Sequence, residues 1–284
     1  MPLPTFIVIG SAKCGTTSIH AYMQQHPNVC MSRNKETNFF AYGDDVVKTH
    51  WSHLPHPVKT MEEYLDQFHP EEGETALGEA SPIYFNAPSV PQRIMDTVPD
   101  VKLILSLRNP VDRAISGYFM HIREGAQANN FDDFDFRARY VAGSYYAELL
   151  QRYTSVFGLE RIKIVLFEDL KRDAGAFMSD LYDYVGVDAG FSPDMSRTHN
   201  PGKVPKNEAL NRFLLNPTLR NKIAPLFPAP LRKLGKSALE MNRTRLPKFP
   251  EDLRAQLVDH CRDDVEKLRD LTGLDFAAWK EFSA

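Results

Sequence analysis

The chain has 284 residues, of which 43% are hydrophobic and 25% are charged, and its formal net charge is −3. These values are those of an ordinary globular protein, so they exclude wholesale disorder, a fibrous repeat and a small disulfide-framework protein. The lack of a basic excess also argues against a general nucleic-acid binder.

The cysteines and the N-terminus indicate the cellular compartment. Cys14, Cys30 and Cys261 are odd in number and have neither zinc-site nor disulfide-framework spacing. The first residues run directly into an apolar segment at 6–9, without the basic region of a signal peptide. No apolar run reaches the roughly 20 residues of a membrane span. We therefore expect a soluble, cytoplasmic protein with no membrane and no nucleic-acid partner.

Short β-branched runs alternate with helical patterns along the chain. The predicted strands are residues 6–9, 101–107 and 162–167, and the predicted helices are residues 18–26, 110–123, 169–185 and 250–272. Gly273 is the expected C-cap of the last helix. Strands that alternate with helices imply βαβ units and parallel strands. The sequence therefore predicts one α/β domain over residues 1–284, with a mainly parallel sheet flanked by helices.

The composition changes between residues 196 and 249. This proline-rich stretch holds 12 basic residues and only two acidic ones, Glu208 and Glu240. It has the pattern of a loop with short helices within the same domain. Two interpretations remain open, namely a solvated basic face and a lid or rim that attracts an anionic ligand.

The most informative segment is residues 10–18 (GSAKCGTTS). A strand that enters a glycine-containing turn and then a helix gathers backbone N–H groups around an anion. Gly10 and Gly15 have the spacing of a Walker A loop, but Thr16 occupies the lysine position and the loop carries Lys13 instead. A kinase that uses ATP and Mg²⁺ needs that lysine and an acidic strand end for the metal. Such a kinase is kept as the alternative function.

A second anion-binding signal follows the second predicted strand. Arg108 stands at the carboxyl end of that strand, and the next helix has Arg113 and Ser116 on its expected visible face. Ligands of open α/β sheets bind outside the carboxyl ends of the strands. We therefore expect Arg108 and Ser116 to hold a second phosphate through charge-assisted hydrogen bonds.

Four segments together resemble a known enzyme family. Residues 10–18 resemble the 5′-phosphosulfate loop of sulfotransferases that use 3′-phosphoadenosine 5′-phosphosulfate (PAPS), and residues 105–118 (LSLRNPVDRAISGY) resemble their 3′-phosphate motif. Residues 35–40 (KETNFF) and 78–85 (GEASPIYF) are similar to segments of the heparan-sulfate sulfotransferase branch and its bacterial relatives. Residues 167–170 and 199–215 resemble bacterial members more weakly.

The resemblance implies transfer of a sulfuryl group from PAPS to a hydroxyl or amine of a small-molecule or carbohydrate acceptor by in-line displacement. It implies that Lys13 contacts the sulfonate and the leaving bridging oxygen and that Glu36 is the general base. No metal is needed, because lysine and amide dipoles neutralise the sulfonate. The implied nucleotide-binding residues are Lys13, Cys14, Gly15, Thr16, Thr17, Ser18, Arg108, Ser116, Lys203 and Lys206.

Several site residues carry more detailed expectations. Glu36 is expected to be partly buried between a basic pair and two phenylalanines. A helix start lowers the pKa of a thiol, but Cys14 is interpreted as a packing residue. The heparan branch usually has lysine at position 80 and some members have histidine at position 38. This chain has Ala80 and Asn38, which implies a smaller, less anionic acceptor.

The acceptor loops are predicted at residues 41–59, 124–146 and 197–249. The first of these loops carries a histidine tract, His50, His53 and His56. We interpret the tract as a loop near the acceptor mouth and not as a metal site. His121 and this tract are the next candidates for the base if Glu36 does not have that role.

Overall fold

The computed structural model describes residues 2–43, 58–124, 140–196, 203–216, 237, 239, 241–245 and 247–283. For Lys203, Glu208, Arg212 and Arg245 it describes the backbone alone. The histidine tract at residues 50–56 and most of the three predicted acceptor loops lie outside the described residues.

A five-stranded parallel sheet forms the centre of the molecule. Its strands are β1 (Phe6–Gly10), β2 (Val29–Met31), β3 (Ala76–Ala80), β4 (Lys102–Leu107) and β5 (Ile162–Leu166). They lie in the order β2-β3-β1-β4-β5, and every neighbouring pair is parallel. The predicted α/β fold with a mainly parallel sheet is confirmed.

Helices cover both faces of the sheet. They are α1 (Thr16–Met23), α2 (Met61–Leu65), α3 (Val90–Thr97), α4 (Pro110–Arg123), α5 (Tyr146–Phe157), α6 (Phe167–Arg172), α7 (Ala174–Val185), α8 (Glu208–Leu215) and α9 (Glu251–Thr272). None of the helices in the described ranges is long and apolar enough to cross a membrane. All three cysteines are buried and free of disulfides.

Side chains that alternate along the strands build two hydrophobic cores. Ile7 and Leu103 belong to the core that includes side chains of α3, α4, α5 and α9. Phe6 and Ile104 belong to the opposite core, with side chains of α1, α6 and α7. A strand that is buried on both faces reads as a continuous apolar run, which is why β1, β4 and β5 are recognisable in the sequence.

Several elements differ from the sequence prediction, among them two strands of the central sheet and one helix break. β2 and β3 were not predicted, because β2 has only three residues and β3 carries Gly78 and Glu79, residue types that are rare in strands. A Cβ on Gly78 would lie 2.1 Å from Cζ of Phe6, so the strand accepts glycine for packing. The predicted helix 169–185 is instead two helices, because the side chain of Asp173 caps α7 by accepting from the N–H of Ala176.

The chain topology creates a crevice between β1 and β4. The connection after β1 leads through α1 to β2 on one side of the sheet, and the connection after β4 leads through α4 and α5 to β5 on the other side. Adjacent strands whose connections diverge leave a ligand-binding crevice at their carboxyl ends. The two predicted anion-binding segments follow these two strands.

Candidate active site

The loop after β1 has a backbone shaped for an anion. Lys13 and Gly15 have φ values of 75° and 88°, in the left-handed region. A Cβ on Gly15 would lie 2.7 Å from the Phe167 ring, so glycine is required there for space as well as for φ. No side chain caps α1, the N–H of Ser18 donates back to the carbonyl oxygen of Gly15 at 2.9 Å, and the first turn contains no acidic residue. The loop therefore presents the positive end of α1, with the N–H groups of Thr16 and Thr17, to a ligand.

The loop is held by the neighbouring strand β4. The N–H of Ser11 donates to the carbonyl oxygen of Ser106 at 2.8 Å, and the hydroxyl of Ser106 donates to the carbonyl oxygen of Cys14 at 2.6 Å. The hydroxyl oxygen of Ser11 is buried and has no hydrogen-bond partner in the described part of the chain. The backbone between Ser11 and Cys14 is thus fixed before any ligand binds.

Lys13 carries an ammonium group that forms no ion pair with a carboxylate among the described residues. Its Nζ lies 3.4 Å from Sδ of Met120 on α4. Burial, together with the positive charges of Arg123, Arg108 and Arg113, lowers the pKa of Lys13 to about 8, against the opposing effect of Glu124. A lysine that is desolvated and surrounded by cations favours the binding of an anion.

Arg108 follows β4 and reaches the same loop. Its Nη1 donates to the carbonyl oxygen of Lys13 at 3.4 Å, and its guanidinium lies over the Phe167 ring at 5.0 Å. Among the described residues, the nearest carboxylate is that of Asp112, at 3.9 Å from Nη2. Arg108 is therefore a second cation at the crevice that is open to an anionic ligand.

One face of α4 connects the two cations. Asp112, Ser116 and Met120 follow each other at intervals of four residues, so they form one stripe along the helix, and all three are half-buried. The stripe begins beside Arg108 and reaches Lys13 at Met120. Ser116 thus lies between the two predicted anion positions.

Arg113 has a different role from the one that its sequence position suggested. The expectation that it shares the visible face of α4 with Ser116 is wrong, because its side chain is buried. Its Nε donates to the carbonyl oxygen of Ala12 at 3.2 Å, and its Nη1 donates to that of Tyr140 at 2.7 Å. Arg113 therefore holds the loop from inside the protein, and its side chain is too buried to bind a ligand.

Tyr146 joins the two anion-binding segments from inside the protein. Its hydroxyl donates to the carbonyl oxygen of Arg108 at 2.9 Å and lies 3.7 Å from Sγ of Cys14. The Cys14 side chain is fully buried, and burial raises the pKa of its thiol. The burial of Cys14 agrees with its interpretation as a packing residue, and its pKa shifts in the direction opposite to that expected at a helix start.

Glu36 departs from its expected environment. Its carboxylate pairs with Nζ of Lys35 at 2.6 Å, and its side chain is 45% exposed. The expectation of a partly buried, tuned Glu36 is therefore wrong, because this side chain leaves the packed surface while its neighbours Thr37 and Asn38 enter it. The N–H of Ala80 donates to the carbonyl oxygen of Lys35 at 3.3 Å, which holds this turn at the carboxyl edge of the sheet.

The buried carboxylate of this region belongs to Glu79 at the end of β3. It accepts hydrogen bonds from the hydroxyl groups of Tyr64 at 2.8 Å and Ser81 at 2.9 Å, and also from Thr37 and Tyr84. Burial raises the pKa of Glu79, although these hydrogen bonds oppose the shift. The sequence showed Glu79 only as part of the segment 78–85, and its position inside an otherwise apolar strand was the available signal.

Asn38 and Ala80 are both almost completely buried. The side-chain amide of Asn38 donates to the carbonyl oxygen of Glu36 at 3.3 Å, and its backbone N–H donates to the hydroxyl of Ser81 at 3.2 Å. Asn38 therefore shapes the turn that carries Glu36.

The described part of the basic stretch lies against the end of α4. Strands β6 (Lys203–Pro205) and β7 (Arg243–Arg245) form an antiparallel pair, and Asn211 donates to the carbonyl oxygen of Arg123 at 3.1 Å. Arg123 is one of the cations that act on Lys13. Lys206 is exposed. The contacts of Lys203 and Lys206 with a nucleotide stay predictions.

The acidic strand end that a kinase would need is already engaged. Glu168 accepts from the N–H of Asn109 at 3.0 Å and from Nε1 of Trp279 at 3.2 Å, so both carboxylate oxygens have protein partners. Asp169 pairs with Arg172 at 2.8 Å. His121, the second candidate for the base, lies with Nδ1 2.9 Å from the hydroxyl of Tyr140.

Comparisons with known proteins agree with this geometry. A family model described as a sulfotransferase domain matches residues 3–208. The crystal structure of a sulfotransferase from Alicyclobacillus acidocaldarius is similar with a TM-score of 0.70 and 28% identity, covering 99% of this chain and 100% of that chain.

Two curated relatives are longer proteins, and this chain matches only a part of each. The membrane-associated sulfotransferase kil1 of Dictyostelium discoideum is 35% identical over 121 residues, which are 43% of this chain and 24% of that protein. The bifunctional heparan sulfate N-deacetylase/N-sulfotransferase 2 of Homo sapiens is 27% identical over 202 residues, which are 65% of this chain and 22% of that protein. The matched part thus spans less than a quarter of each of these relatives.

Proposed function

The chain belongs to the sulfotransferase family, and from that premise we propose that it transfers a sulfuryl group from PAPS to a hydroxyl or amine of a small-molecule or carbohydrate acceptor. The observation that carries this proposal is the pair of cations at the crevice between β1 and β4. Arg108 donates to the carbonyl oxygen of Lys13, so the two loops act as one site, and neither cation has a closely paired carboxylate among the described residues.

The site fits the two anionic ends of PAPS. The N–H groups at the start of α1, with Gly15, Thr16, Thr17 and Ser18, suit the 5′-phosphate. Arg108 and Ser116 suit the 3′-phosphate, which AMP and ATP lack.

Lys13 would then stabilise the charge that develops on the leaving oxygen. Its ammonium is preorganised by the left-handed backbone of the loop and is desolvated by Met120 and the neighbouring chain. A preorganised cation of this kind lowers the barrier because no solvent has to reorganise during the reaction.

Glu36 would accept the proton of the attacking group. Its exposed side chain is accessible to an acceptor, while the backbone on both sides is fixed by Ala80 and Asn38. The hydrogen bond from Nζ of Lys35, at 2.6 Å, orients the carboxylate that would act as the base.

The test is transfer of label from PAPS to a panel of alcohols, phenols and amines, with the desulfated product 3′-phosphoadenosine 5′-phosphate (PAP) measured at the same time. We expect PAP to form in proportion to sulfated acceptor, with the rate unchanged by EDTA. Transfer of phosphate from ATP that EDTA abolishes would establish the kinase alternative instead.

A further inference from the structure

A chain of charged side chains connects the C-terminal segment to Arg108. Arg254, in the first turn of α9, donates through Nη2 to Oδ1 of Asp112 at 2.8 Å and through Nε to Oε1 of Glu281 at 2.5 Å. The other oxygen of Asp112, Oδ2, lies 3.9 Å from Nη2 of Arg108. Arg254 and Arg108 therefore face different oxygens of the Asp112 carboxylate.

The same segment also holds the residue that follows Arg108. Oε2 of Glu281 accepts from the side-chain amide of Asn109 at 2.7 Å. The Oδ1 of Asn109 accepts from the N–H groups of Val111 and Asp112 and so caps α4. The C-terminal segment thus fixes both the cap and the first acidic residue of the helix beside Arg108.

Asp112 is a potential competitor for Arg108. It lies four residues after Arg108 and only 3.9 Å away, so a small rotation would bring the two groups into a close ion pair. A phosphate and a carboxylate bind the same guanidinium N–H groups. The hydrogen bond from Arg254 occupies Asp112 and keeps that rotation unfavourable, which leaves Arg108 open.

We infer that Arg254 is a positioning residue for the 3′-phosphate site, which acts by holding Asp112 away from Arg108. This inference rests on the proposed function, in which Arg108 binds the 3′-phosphate. Arg254 and Glu281 both lie outside the residues 3–208 that the family model matches. The C-terminal segment therefore contributes to nucleotide selectivity without touching the nucleotide.

The direct test compares PAP and AMP binding by calorimetry in wild type and in Arg254→Met. We expect PAP affinity to fall about tenfold and AMP affinity to stay within twofold, because only PAP carries the 3′-phosphate. A general disruption of the site would weaken both ligands. The matched control is Arg262→Met, which removes one positive charge from the same helix at an exposed pair with Asp259 and should leave both affinities unchanged.

Two double variants separate positioning from the loss of one positive charge. Asp112→Asn with Arg254→Met removes the competitor and should restore PAP affinity to within about threefold of wild type. Glu281→Gln with Arg254→Met restores the same net charge but leaves Asp112 free to pair with Arg108, so its PAP affinity should stay low. Equal recovery in both double variants would show a simple charge effect and would overturn the inference.

The remaining outcomes are also decisive. A wild type that binds PAP no better than AMP contradicts the proposed role of Arg108. A wild type that prefers PAP while Arg254→Met keeps that preference contradicts the inference alone. If Arg254→Met does not fold, Arg254→Lys keeps the charge but lacks the planar fork that donates to both carboxylates, so it should lose part of the preference for PAP. A full preference in that variant would overturn the inference.

Discussion

The ammonium of Lys13 lies 3.4 Å from the thioether sulfur of Met120, on the helix that follows β4. A thioether is a weak acceptor, so this contact desolvates the lysine without neutralising its charge. The arrangement prepares Lys13 for an anionic partner, and the first two predictions follow from it.

Lys13→Ala should lower turnover with PAPS by about 10²–10³, which is the usual effect of removing one preorganised donor at a developing charge. PAP binding should weaken much less, because PAP keeps the 5′-phosphate contacts and has no sulfonate. Steady-state kinetics and calorimetry with PAP measure the two effects. Near-normal turnover in this variant would show that Lys13 does not act on the leaving group.

The pKa of Lys13, lowered to about 8 mainly by burial, predicts the alkaline limb of activity. Lys13 is charged below this pH and neutral above it, and kcat/KM for PAPS reports the free enzyme. We expect kcat/KM to fall by about tenfold per pH unit above pH 8. Lys13→Arg stays charged over this range, so its profile should lack this limb even at lower activity. A wild-type kcat/KM that is constant up to pH 9.5 would contradict the prediction.

Glu36→Gln should lower turnover by about 10²–10⁴, because the amide keeps the size of the side chain but cannot accept a proton. PAP affinity should stay unchanged. Turnover should fall more with an alcohol acceptor than with a phenol, because a phenol gives up its proton more readily. The measurement is turnover on both acceptor types. Activity within a few-fold of wild type on the alcohol would move the assignment to His121 or the tract 50–56.

Tyr146→Phe should weaken nucleotide binding from inside the protein. It removes the hydroxyl that donates to the carbonyl oxygen of Arg108 and leaves this partly buried oxygen without that donor, which costs about 1–3 kcal/mol of the free energy of unfolding. Tyr182→Phe is the matched control, because its hydroxyl donates to the carbonyl oxygen of Tyr22 at 2.9 Å in the other core. Both variants should unfold at lower urea concentration, but only Tyr146→Phe should lose PAP affinity several-fold.

His20 should make the fold sensitive to mild acid. Burial, with a smaller contribution from Lys35, lowers its pKa to about 4, against about 6.5 in an unfolded chain. Between these pH values the unfolded state binds more protons than the folded state. The contribution of His20 to the free energy of unfolding is therefore fully present above pH 6.5 and is lost as the pH falls through 4. The full effect is roughly 3 kcal/mol.

The measurement for His20 is urea unfolding at pH 7, 5.5 and 4.5, for wild type and His20→Gln. The difference between the two proteins isolates this residue from other buried groups, such as Glu79. We expect the wild type to lose more stability than the variant as the pH falls. Parallel curves for the two proteins would contradict the prediction.

The sequence by itself determined the parts of this site that are encoded locally. The strand, turn and helix around Lys13, the strand that ends before Arg108 and the bounds of α4 all follow from residues within a few positions of each other. Apolar runs, glycine spacing and a proline at the start of a helix are signals of that range, so they can be read without the fold.

Only the tertiary structure decided which polar side chains are buried and what they bind. Glu36 and Glu79 both stand in segments that resemble the motifs of the family, but the first is exposed and the second is enclosed by hydroxyl groups from three separate segments. Arg254 and Asp112 are 142 positions apart and meet only because α9 packs beside α4. Burial and pairing depend on the segments that fold against a residue from far along the chain, and no local pattern records that information.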